Sequence, residues 1–191
     1  MQREESIYAV YTLFFLVLAG SILVTPLLAE SNGMDSVYTA FSYTCHQKLS
    51  RSLCIFNDNE SRWISDCIPQ TGEYIKADRT AIKVTADGII GYKMPVCARD
   101  IALYGAMLFG ALVYPIVREL KDKRMLPAIY LVVAIIPLAI DGGLQIVSEI
   151  GFLPFIYESS NTIRIITGII AGFAASFYAI PVLMNMFGKS E

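Results

Sequence analysis

Apolar residues dominate four stretches of the chain, and polar residues gather between them. A helix that crosses the hydrocarbon core of a bilayer needs about 20 mostly apolar residues. The first stretch runs from Ile7 to Ala29 and the second from Ile101 to Val117. The third covers Leu126 to Val147, and the fourth Ile163 to Phe187. Each predicts a transmembrane helix, and the second, the shortest, is expected to reach back towards Cys97. The first is read as an uncleaved helix and not a signal peptide. It exceeds the roughly 7–15 apolar residues of a signal, and signals begin with a basic head. Here the head, MQREES, carries two glutamates against one arginine.

Residues 30–96 break the pattern with a mixed, partly charged insert. Asp35 or Ser36 is a good start for a short helix, with Val37, Phe41, Cys45 and Leu49 along one side at three-to-four spacing. Ser42, His46 and Gln47 then form the adjacent face. The segment CIFNDNESRWISDC reads as two short strands around a polar tip, bracketed by Cys54 and Cys67. Asn59-Glu60-Ser61 at that tip matches a glycosylation acceptor. AIKVTADGIIGYK reads as a hairpin turning at Asp87-Gly88. The predicted fold is an all-α membrane protein: a four-transmembrane-helix bundle with a small mixed α/β external cap inserted between helices 1 and 2. The units are 1–29, with the N-terminus and first helix, the cap 30–96, and 97–191 with helices two to four.

Charge placement sets the orientation. Arg118, Lys121, Lys123 and Arg124 crowd the link between the second and third stretches, whereas residues 148–162 hold Glu149 and Glu158 and no Lys or Arg. The positive-inside rule puts the basic link near 118–125 and both termini in the cytoplasm, and the cap outside the cell membrane. Overall, 55% of residues are hydrophobic, 17% are charged and the net charge is -2, which leaves no basic footprint for nucleic acid. The expected partners are membrane lipids, with a homo-oligomer or another membrane protein as further possibilities.

An external cap permits disulfides among its four cysteines. Cys54–Cys67 is the natural pair, closing the polar hairpin. Cys45–Cys97 is the preferred second pair, fastening the cap at its base. The alternative is a zinc site in which Cys45, His46, Cys97 and Asp100 supply two thiolates, an imidazole and a carboxylate. Within the bundle, Asp141, Gln145 and Ser148 or Glu149 share one helix face. Gly142 and Gly143 allow close backbone approach there. On the fourth helix, Gly168, Gly172 and Ser176 make a small-residue seam. Arg164, with Thr167, lies near its outer end as the natural partner of Asp141 or Glu149. Ionisable groups at membrane depth face the bundle interior or a cavity. His46, Arg99, Asp100, Asp141, Gln145 and Arg164 are therefore the candidate site, beside Tyr104 and Gly105.

The ordered set CHQ at 45–47, RS at 51–52, PVCARD at 95–100, Tyr104, DGGLQ at 141–145, and Arg164 with Thr167-Gly168 resembles a family of small prokaryotic membrane proteins known only as a domain of unknown function. The resemblance spans nearly the whole chain. It supports the choice of residues and carries no activity. Cys54 and Cys67 look less typical of that family, which implies a private disulfide and a separate role for Cys45 and Cys97. Four functions compete. The first is an enzyme acting on a lipid or lipid-linked substrate, with His46 as general base or metal ligand, Asp141 as base or second ligand and Arg164 as anion or oxyanion binder. The second is a small-solute or ion transporter, the third a thiol–disulfide exchanger, and the fourth a non-catalytic assembly partner.

Overall fold

The computed structural model describes residues 3–32, 34–58, 60–67, 82–86, 88–120 and 122–188. Asn59, Asp87 and Lys121, which belong to the acceptor pattern, the hairpin turn and the basic link, lie outside the described residues. In chain order the elements are α1 (Arg3–Asn32), α2 (Asp35–Ser42), β1 (Leu53–Asn57), β2 (Arg62–Asp66), β3 (Lys83–Ala86), β4 (Ile89–Lys93), α3 (Ala98–Val117), α4 (Ala128–Glu149) and α5 (Asn161–Phe187). The chain is mostly helical, with one small antiparallel sheet.

Helices α1, α3, α4 and α5 are long and apolar enough to cross a membrane. Helix α3 reaches back to Ala98, as anticipated, with Cys97 at its N-cap. Helix α4 starts only after Pro127, whose missing N–H suits a helix start. Helix α5 packs along α3 and against α4, while α1 lies on α3. The seam of small residues makes the α3 contact possible. A Cβ on Gly168 would stand 2.6 Å from the Arg99 carbonyl oxygen, and one on Gly172 would collide with that of Leu103. Val10, Leu13 and Val17 of α1 stay exposed, as do Ile129, Val133, Ile136 and Ile140 of α4. Contiguous apolar helix faces of this size need a hydrophobic surrounding, which lipid supplies.

In the insert both anticipated hairpins form, and Cys54 is joined to Cys67 with Cα atoms 4.9 Å apart. Gly88 takes φ 80° at the second hairpin's turn, a conformation that glycine adopts freely. The sequence did not disclose that β1 also pairs with β4, which merges the hairpins into one sheet of order β2-β1-β4-β3. Phe56 stacks on Trp63 and lies over Gly91, where a Cβ would come within 2.6 Å of the ring.

One local expectation is corrected. Val37, Phe41, Cys45 and Leu49 do not share a single helix, because α2 ends at Ser42 and a separate 3-10 turn covers Leu49–Arg51. Between them Gln47 adopts φ 50°, the left-handed region that L-residues seldom occupy. Hydrogen bonds hold it there. Gln47 Nε2 donates to the carbonyls of Tyr38 (2.7 Å) and Pro95 (2.8 Å), and its own carbonyl accepts from the fully buried Lys93 Nζ at 3.0 Å. Tyr38 in turn donates its hydroxyl to the Lys93 carbonyl. These bonds over-determine a conformation costing about 1–3 kcal/mol and outcompete a longer helix. Gln47 is buried as a result, and His46 is exposed.

Candidate functional site

Asp141, Gln145 and Ser148 are all buried on one stripe of α4, as their spacing predicts. The Asp141 carboxylate forms an ion pair with the Arg99 guanidinium of α3. It also accepts hydrogen bonds from the Tyr157 hydroxyl (2.9 Å) and the Ser159 hydroxyl (3.2 Å), both in the link before α5. Gly142 gives the guanidinium room, since a Cβ there would lie 3.2 Å from Arg99 Nη1. Burial, followed by the hydrogen bond to the Asp141 carboxylate, pushes the Tyr157 phenol above its ordinary value, so the hydroxyl stays a proton donor.

Arg164 is not the partner of Asp141 or Glu149. It is 1% exposed and donates to Glu158 at 2.5 Å, to Asn161 Oδ1 at 3.0 Å and to the Ser50 carbonyl at 3.4 Å. Helix α5 is rotated so that Gly168 and Gly172 face α3, and this turns Arg164 towards the insert. Arg51 grips Glu158 with two bonds, Nε at 2.8 Å and Nη2 at 3.0 Å, and also pairs with Glu149. Lys48 Nζ reaches Glu149 at 2.9 Å. Asn161 donates to Asp66 Oδ1 at 2.8 Å. Together these bonds clamp the insert to the α4–α5 link. Burial raises the Glu158 pKa, but the bonds from Arg51 and then Arg164 outweigh it and leave the carboxyl below the usual glutamate value.

A third cluster lies at the start of α3. The Cys97 amide donates to Cys45 Sγ at 3.2 Å, and Cys97 Sγ lies 3.2 Å from Asp100 Oδ2. The two sulfurs and a carboxylate oxygen of Asp100 all fall within 4.8 Å of one another. Both thiols are free, in contrast to the linked Cys54 and Cys67. Their shared hydrogen bond is the main influence on each. It draws Cys45 below the ordinary thiol value and, with burial and the nearby Asp100 charge, drives Cys97 above it.

The candidate residues are thus split between neighbouring places. Arg99 joins Asp141, and Asp100 joins Cys45 and Cys97. His46 belongs to neither group. It lines a cleft of about 560 Å³ with Tyr38, Thr39, Tyr43 and Cys45, and that cleft does not include Asp141, Gln145 or Arg164. A second groove, of about 540 Å³, sets Lys48, Ser148 and Glu149 opposite Leu153, Pro154, Phe155 and Ile156. Seven buried side-chain atoms have no hydrogen-bond partner among the described residues: those of Tyr11, Thr12, Tyr114 and Arg118, away from the candidate residues, and Arg99 Nε, Gln145 Nε2 and Arg164 Nε among them. Buried donors are nearly always paired with protein or water, so these last three could each take an acceptor that enters the site. Sequence reasoning missed Tyr157, Ser159, Lys48 and Arg51 as site residues. Tyr157-Glu158-Ser159 lies in a short polar link beside the site, which was the available signal.

The family described as "Predicted membrane protein (DUF2085)" matches residues 88–178. The resemblance holds. The matched stretch contains Cys97, Arg99, Asp100, Asp141, Gln145 and Arg164, while Cys45 and His46 precede it. "Uncharacterized protein MJ1492" of Methanocaldococcus jannaschii is 29% identical over 190 residues, which cover 95% of this chain and 96% of the relative. No solved structure matches. With its four apolar helices, the chain is similar to a family of membrane proteins whose function is unknown.

Proposed function

We propose that the protein binds and acts on the anionic headgroup of a lipid or lipid-linked substrate, at an outward-facing site beneath an extracytoplasmic cap. In this reading helices α1, α3, α4 and α5 form the transmembrane bundle, both termini are cytoplasmic, and residues 30–96 are the cap. The observation that carries it is the set of buried, unpartnered donors on Arg99, Gln145 and Arg164 around the insert-side ends of three helices. Two belong to guanidinium groups, whose remaining N–H suits an oxyanion such as phosphate, beside the bonds they already make to Asp141 and Glu158.

The groove beside Ser148 supports a lipid as the carrier of that anion. It pairs Lys48 and Ser148 with exposed Phe155 and Ile156, a polar wall facing an apolar one at the edge of the helices. A headgroup entering sideways would meet the Asp141–Gln145–Ser148 stripe. There Arg99 and Arg164 are placed to hold the anion, and Tyr157, whose hydroxyl donates to Asp141, holds that carboxylate in position. His46 lies in the neighbouring cleft and takes no part in these steps.

The test is thermal unfolding in nanodiscs of defined lipid, with polyprenyl phosphate, phosphatidylglycerol or phosphatidylcholine added, followed by analysis for released headgroup. Stabilisation by the two anionic lipids, polyprenyl phosphate or phosphatidylglycerol, lost in Gln145→Ala, is expected. Equal response to phosphatidylcholine, or none to any lipid, would overturn the proposal.

A further inference from the structure

We infer that Cys45, Cys97 and Asp100 form a zinc site that ties the turn after α2 to the first turn of α3. The inference stands apart from the lipid-binding reading, because it uses different side chains and a different readout. Cys45 and Cys97 are 52 positions apart in the chain, yet their sulfurs and the Asp100 carboxylate converge within 4.8 Å. Three potential anions brought together in a largely buried place repel one another unless protons or a cation lie between them.

The donor set narrows the ion. Two thiolates and one carboxylate are too soft for magnesium or calcium, which take oxygen ligands, and the carboxylate is a poor match for copper(I). Zinc accepts both donor types at a tetrahedral centre. The Cys97 amide bonded to Cys45 Sγ fixes the position of that sulfur. The left-handed turn at Gln47, held by Tyr38, Lys93 and Pro95, keeps Cys45 in place before any ion arrives. As zinc binds, each thiol releases its proton to solvent and forms one S–Zn bond, and no electron is transferred.

Three protein ligands leave a fourth position. Cys45 also lines the 560 Å³ cleft, so solvent or a small ligand has a route to an ion held by its sulfur. His46 is in the same cleft but not within the group of converging ligands. The site is therefore a three-ligand one, and His46 is a neighbour and not a member. Arg99 lies between Cys97 and Asp100 in sequence, so an ion here would also stiffen the helix start that carries the Asp141 pair.

The experiment is a cobalt titration of the full-length protein, purified without chelator or reductant, alongside zinc analysis of the same preparation. One equivalent of zinc is expected. Cobalt should give a thiolate charge-transfer band that disappears in Cys45→Ser and in Cys97→Ser, and affinity at least tenfold weaker in Asp100→Asn. His46→Ala should leave band and affinity unchanged. Each variant is first checked for an intact Cys54–Cys67 disulfide and a metal-free melting temperature like the wild type. Asp100→Asn, which keeps both sulfurs, decides the matter if a cysteine variant fails that check. A Cys45–Cys97 disulfide in the purified protein, absence of a thiolate band, or metal retained equally by all variants would each overturn the inference.

Discussion

Asp141→Asn should unfold the protein at a distinctly lower temperature, and the size of the fall follows from the surroundings of the pair. The Asp141 side chain is 5% exposed and that of Arg99 is 18% exposed. Removing one partner of a buried ion pair costs about 3–5 kcal/mol, mostly because the surviving charge is left uncompensated. The partial exposure of Arg99 admits some water and puts the cost near the lower end, about 3 kcal/mol. Asparagine keeps one acceptor oxygen for Tyr157, which bonds Oδ1, but its amide replaces the Oδ2 that accepts from Ser159, so that longer bond is lost with the ion pair. For a chain of this length, about 3 kcal/mol corresponds to roughly 6–12 °C in melting temperature. The double variant Arg99→Gln/Asp141→Asn removes both charges and should recover about half of that loss. Intrinsic fluorescence during thermal unfolding in one detergent or nanodisc preparation reads all four proteins. A single variant within about 2 °C of wild type would refute the pairing, as would a double variant whose loss equals the sum of the singles.

Three further outcomes are expected. The Glu158 carboxyl is held below the ordinary glutamate value of 4.5, so its clamp stabilises the fold above that pH and weakens as pH falls through the lowered folded value. Hydrogen-exchange protection of residues 48–66, measured against the intrinsic rate at each pH, should therefore fall on acidification below about pH 4.5, and in Glu158→Gln it should already be low at neutral pH. Gly172→Ala should cost about 1–3 kcal/mol by forcing α5 off Leu103, whereas Gly143→Ala, with open space around it, should gain up to about 1 kcal/mol; thermal unfolding compares them. Replacing Cys54 and Cys67 by Ala opens a loop of 13-residue separation and should cost about 3 kcal/mol. Protease sensitivity of the sheet should rise while the four long helices keep their helical circular dichroism.

The long helices were legible because spanning length and apolarity leave few alternatives, and both hairpins because turn residues and a bracketing cysteine pair mark them. The pairing of β1 with β4 was not legible. It joins strands separated by more than 30 residues, and nothing local encodes it. The polar stripe of α4 was readable from its spacing, but its partner was not. Periodicity says which residues share a face and not which neighbour that face meets. The seam at Gly168 and Gly172 was assigned correctly as a packing surface. Its consequence, that Arg164 turns to Glu158 and leaves Asp141 to Arg99, depends on how far α5 is rotated. His46 was misplaced for a different reason. The apolar spacing continued the helix through residues 43–49, whereas α2 ends at Ser42, and the bonds to the distant Pro95 carbonyl and Lys93 amine hold the left-handed turn at Gln47 that follows.

The central claim is that the buried donors of Arg99, Gln145 and Arg164 receive the anionic group of a lipid. Native mass spectrometry of the protein, released gently from its own membranes, tests it most directly. The account predicts one tightly held anionic lipid per chain, retained by wild type and by His46→Ala, and lost from Gln145→Ala. Wild-type protein that carries only weakly held lipid in the proportions of the surrounding membrane, with Gln145→Ala indistinguishable from it, would contradict the account.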